Sequence, residues 1–173
     1  MIMPRGSNQL LLPANPLFIW GSLLAAFSLN LIPLGRAPYM PDFLALVITF
    51  WAIHQPRRIG IGIAFTLGLL MDVHEAAILG QHALAYTLLS FFAIMVHRRV
   101  LWFSVATQAV QIFPLFLVDH LVMLGLRLYV DGGWPDFTFY LAPVFEALLW
   151  PLASWILLAP QRRAPDPDDH RPL

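Results

Sequence analysis

Most of the chain between positions 17 and 159 is a succession of apolar runs broken by short polar hinges, and this pattern narrows the possible folds more than any other feature. The runs cover 17–34, 43–53, 59–71, 78–96, 100–118 and 137–159. A bilayer's hydrocarbon core is about 30 Å thick and asks for about 20 apolar residues from a spanning helix. Water cannot be the solvent for so much apolar surface. Of 173 residues, 59% are apolar and 12% charged, against about 25% charged in soluble chains. A soluble domain of this size would still expose roughly 30% of its chain's surface. The mean hydropathy of +0.71 agrees with lipid as the surrounding medium.

The runs predict an all-α membrane protein with six transmembrane helices. The first run carries only Ser22, Ser28 and Asn30 as polar interruptions, with Pro33 near its end. Its length and lack of a cleavage site read as a retained helix rather than a signal peptide. The second and third runs rise about 17 and about 20 Å, too little to cross a bilayer alone. They cross only if Asp42 and Asp72, at their polar ends, lie inside the protein. Residues 121–130, after Asp119-His120, either extend the fifth helix or form an interfacial one. The expected organisation is a loose N-terminus over 1–15, a six-helix domain over 16–160 and a disordered, Pro-rich tail over 161–173.

All ten basic residues are Arg and balance ten acids, so a nucleic-acid partner, which needs a basic excess on one face, is disfavoured. With six spans, Arg5, Arg57, Arg58, Arg98, Arg99, Arg162, Arg163 and Arg171 fall on one side of the membrane. Arg36 and Arg127 fall on the other. The positive-inside rule then makes the first side, with both termini, cytoplasmic. Arg57, Arg58, Arg98, Arg99, Arg162 and Arg163 are the topology determinants, and membrane lipid is an expected contact for them. Trp51, Trp102 and Trp155 are expected to anchor at that interface.

Counting 1.5 Å per residue from the nearest of these arginines puts Asp42, Asp72, His82, Gln111 and Glu146 between about 20 and about 24 Å deep. Unshielded intramembrane acids cost a few kcal/mol on insertion scales, so these residues are expected to face protein. They form a candidate polar pocket, open or nearly open to the outer face. For Asp42 a simpler role competes, because Pro41-Asp42 ahead of an apolar run suits a helix N-cap. Gly60, Ala64 and Gly68 recur every four residues and lead to Asp72. This spacing reads as a helix-packing seam.

Catalytic signatures are missing. Cysteine is absent, and no HExxH, P-loop or G-x-S-x-G pattern occurs. The Asp72-Val73-His74-Glu75 group with His82 matches no known metal-ligand spacing. Asp119-His120 adjacency does not bring the side chains together on a helix. No cofactor, metal or enzymatic activity is expected.

Several short segments, taken in order, resemble the MreD family of rod-shape-determining membrane proteins. They are Pro41-Asp42, Pro56-Arg57-Arg58-Ile59-Gly60, Gly68-Leu69-Leu70-Met71-Asp72, Leu79-Gly80-Gln81-His82-Ala83-Leu84 and Leu149-Trp150-Pro151. The resemblance implies a non-enzymatic inner-membrane component of the bacterial elongation machinery. Its implied partners are the bitopic protein MreC, the filament protein MreB, and a RodA-type glycan polymerase with its partner transpeptidase. It also implies a bundle similar to the substrate-binding subunits of energy-coupling-factor transporters, a likeness of fold that does not transfer vitamin binding. The alternative from the residues is a substrate-binding or small-solute transport subunit with an outward-open polar pocket.

Overall fold

The computed structural model describes residues 13–32, 40–132, 134 and 137–162. These form six α-helices and no strands: α1 (Pro16–Leu31), α2 (Phe43–His54), α3 (Ile61–Glu75), α4 (Gln81–Val100), α5 (Val105–Asp131) and α6 (Ala142–Leu158). Short 3-10 turns at Phe137–Leu141 and Ala159–Gln161 flank α6. Three helical stretches, Gln81–Val100, Val105–Val130 and Phe137–Gln161, are long and apolar enough to cross a membrane. Residues 121–130 therefore continue the fifth helix.

Local chemistry sets most helix ends. Asn15 accepts from the Leu17 amide (2.9 Å) with Pro16 in the first turn, a favoured opening for α1. Asp42 caps α2 by accepting from the Ala45 amide at 2.9 Å. The α2 helix stops at His54, because Pro56 disfavours helical backbone at Gln55. Gly80, with φ of +102°, supplies a left-handed turn that few other residues tolerate, and α4 begins at the next residue. The sixth run enters through the 3-10 turn and becomes α-helical only at Ala142.

The α2 helix occupies the centre, packed against α1, α4 and α6, while α3 leans on α4, α4 on α5 and α5 on α6. Trp51 corrects the sequence expectation: it is fully buried and donates to the Ser22 hydroxyl at 2.8 Å. Its ring packs edge-on against Phe50, with centroids 5.0 Å apart, and Phe50 lies 5.8 Å from Trp150. The interfacial-aromatic rule assumes a helix with a lipid-facing side, and the α2 residues around Trp51 have none. Trp102 and Trp155 are exposed.

Of the ends expected to be loose, residues 1–12 and 163–173, including Arg5, Arg163 and Arg171, lie outside the described residues, as does Arg36. Ala14 is buried, and its carbonyl accepts from Arg58 Nη1 at 3.3 Å. Gln161 is likewise buried against α6, within reach of the Leu157 carbonyl.

Candidate functional site

The polar residues gather into two nodes. The first is built on Asp42. Its Oδ1 accepts from Asn30 Nδ2 (2.7 Å) as well as from the Ala45 amide, and its Oδ2 accepts from the Tyr86 hydroxyl. The Asp42 amide donates to Glu146 Oε1 at 2.9 Å, and the Phe43 amide donates to Asn30 Oδ1 at 3.1 Å. His120 Nε2 lies 3.7 Å from the same Glu146 oxygen, and its Nδ1 donates to the Phe116 carbonyl. Residues from α1, α2, α4, α5 and α6 thus meet at one point.

Asp42, only partly buried, therefore serves both as a helix cap and as a protein-facing acid. One carboxylate satisfies the start of its own helix and the side chains of two others. Asp119 is fully buried beside His120, 3.9 Å from its Nδ1, and neither of its oxygens has a hydrogen-bond partner among the described residues.

The second node is Asp72, 1% exposed at the end of α3. Its two oxygens accept from the amides of Gly80 (2.8 Å), His82 (2.7 Å) and Ala83 (3.3 Å). His82 Nδ1 adds a fourth donor at 2.9 Å. The first amides of a helix lack partners within it and carry its positive dipole end, so a carboxylate here suits both hydrogen bonding and charge. Asp72 caps α4 from a neighbouring helix. His82 Nε2 lies 3.6 Å from Glu75, and its ring sits 5.8 Å from that of Tyr86, linking the two nodes.

Close approach makes this possible. A Cβ on Gly68 would lie 2.5 Å from Ala83 Cα and 2.6 Å from the His82 carbonyl oxygen, so the α4 backbone rests directly on Gly68. Ala64 is fully buried one turn earlier. Gly60 precedes α3 as its N-cap, and a Cβ there would meet only the Pro56 carbonyl, at 4.0 Å. The tight contact falls at Gly68.

Four of the five pocket residues proposed from sequence, Asp42, Asp72, His82 and Glu146, belong to the nodes. Gln111 does not: its half-buried side chain has an Oε1 without a partner among the described residues. The neighbouring glutamine that pairs is Gln108, which accepts from Trp150 Nε1 at 3.1 Å and donates to the Phe103 carbonyl. Sequence reasoning missed Tyr86 and the bonding role of Asn30. Tyr86 lies one turn after His82 on the same helical face, a spacing that could have flagged it. Among the described residues no three His, Asp or Glu side chains converge in metal-binding geometry. Arg57, Arg98, Arg99 and Arg162 are exposed.

The arrangement is suited to holding helices together. The Asp42 and Asp72 carboxylates face backbone amides and fixed side chains. The family model of the rod shape-determining protein MreD matches residues 14–161. A rod shape-determining protein MreD from Haemophilus influenzae (strain ATCC 51907 / DSM 11121 / KW20 / Rd) is 26% identical over 149 residues, covering 80% of this chain and 88% of the relative. No solved structure matches significantly. Both nodes lie within the matched span, and the chain belongs to the MreD family of rod shape-determining membrane proteins.

Proposed function

We propose that the protein is a non-enzymatic, multi-pass subunit of the bacterial inner membrane that helps maintain rod shape by linking an MreC-like bitopic protein, and an MreB-like filament, to the side-wall peptidoglycan synthases. The match to the family over residues 14–161 carries this reading. The polar nodes support it, because Asp72 uses both oxygens on α4 and Asp42 is engaged by four helices' worth of groups. A solute carrier would need such carboxylates free to meet its cargo. All six helices cross the bilayer on this reading, with α2 shielded by its neighbours, α3 packed on α4, and both termini cytoplasmic.

Clean deletion in a rod-shaped host should give rounded cells, and the tagged protein should co-purify with the host's MreC homologue in mild detergent. Normal rods after deletion would overturn the proposal. A glutamine at Asp72 or Glu146 should lower folded abundance before it changes shape.

A further inference from the structure

At the polar end of α4, Arg98 and Arg99 border a shallow, open crevice of about 360 Å³ completed by Trp102 and Phe103. Neither guanidinium makes an ion pair or side-chain hydrogen bond among the described residues, where every ion pair involves a histidine. Nor are the arginines needed as caps. The final carbonyls of α4 already accept from the chain, with the Leu101 amide on His97 (3.1 Å), Trp102 on Arg99 (3.2 Å) and Phe103 on Val100 (3.2 Å). Among the described residues, two planar cations with free donors are thus left beside aromatic rings at the polar end of α4.

A second observation selects the ligand. Phe91, Met95, Arg98 and Trp102 follow one another at spacings of four, three and four residues, which is one face of the helix and the turn that continues it. Phe91 is 42% exposed, Met95 63% and Trp102 90%. An apolar track therefore runs along α4 and ends at the arginine pair. A soluble anion or an acidic peptide would use the charges and leave the track empty.

We infer that the Arg98–Arg99–Trp102–Phe103 crevice binds the phosphodiester of an anionic phospholipid, with an acyl chain lying along Met95 and Phe91. Guanidinium forks match phosphate oxygens in pairs. Two positive charges with no acidic partner among the described residues favour a headgroup with net negative charge over a zwitterionic one.

The test is lipid retention by the full-length purified protein, read by native mass spectrometry from micelles holding equal phosphatidylglycerol and phosphatidylcholine. Phosphatidylglycerol should be retained preferentially. The double change Arg98→Gln, Arg99→Gln should weaken its retention about thirtyfold, from about 1 kcal/mol per surface arginine. Arg57→Gln with Arg162→Gln removes the same charge elsewhere and should change retention less than the Arg98–Arg99 double does. Equal retention of the two lipids by the unaltered protein would overturn the inference without any variant. Equal loss in both doubles would show general attraction and overturn it too. Displacement by inorganic phosphate or by a soluble acidic peptide would assign the crevice to those ligands instead. If the glutamine double does not fold, Arg98→Lys with Arg99→Lys keeps the charge and should lose the paired geometry, retaining phosphatidylglycerol more weakly than arginine does. Unchanged retention in the lysine double would overturn the role given to the fork.

Discussion

At the scale of single residues, Gly68 and Asp72 work as a pair. The glycine lets the α4 backbone approach, and the carboxylate receives the amides brought within reach. Gly68→Ala must push α4 back, because the obstructing atoms are backbone. It should cost about 1–3 kcal/mol or more, seen as a lower midpoint in a detergent-phase thermal melt. Gly62 provides the contrast. Nothing lies within 4 Å of a Cβ there, so Gly62→Ala should be neutral or stabilise by up to about 1 kcal/mol through helix propensity. Asp72→Ala leaves the Gly80 amide, two α4 amides and His82 Nδ1 without their acceptor. A loss of about 1–3 kcal/mol for each strictly buried group left unpaired should appear as aggregation on size-exclusion chromatography.

At the scale of helices, Asn30 on α1 and Tyr86 on α4 reach the same Asp42 carboxylate on α2. Asn30→Ala and Tyr86→Phe should therefore be non-additive, with a coupling of about 0.5–3 kcal/mol in a double-mutant cycle of unfolding free energies. Strict additivity would mean that the three helices do not share the node. The sequence made much of this legible. Polar hinges located the helices, Pro41-Asp42 announced the α2 cap, and two runs too short to cross alone implied that Asp42 and Asp72 were shielded by protein. What it hid was partnership. These helices are apolar on nearly every side, so periodicity does not mark which face turns inward. Nothing local pairs Asn30 or Tyr86 with Asp42, or Gln108 rather than Gln111 with Trp150. Trp51 was misplaced for the same reason, since a tryptophan near arginines reads as interfacial unless its helix is known to be central.

At the scale of the whole molecule, the described arginines Arg57, Arg58, Arg98, Arg99 and Arg162 fall in or beside the breaks at one set of helix ends, with Arg127 near the end of α5. The inside-positive bias predicts that reporter domains fused after Arg58, Arg99 and Arg162 stay cytoplasmic, while one fused after Gly132 is exported. An exported fusion at Arg99 would contradict the six-span arrangement.

The hydrogen bond from the Asp42 amide to Glu146 joins positions 104 residues apart. The Asp72 grip on α4, by contrast, spans no more than 11. The α3–α4 hairpin can therefore satisfy the Asp72 carboxylate and the first α4 amides while still emerging from the ribosome. The central helix cannot. Part of its cap waits for the last helix to be translated, so a nascent chain stalled before α6 should be held by the insertion machinery or handed to membrane quality control.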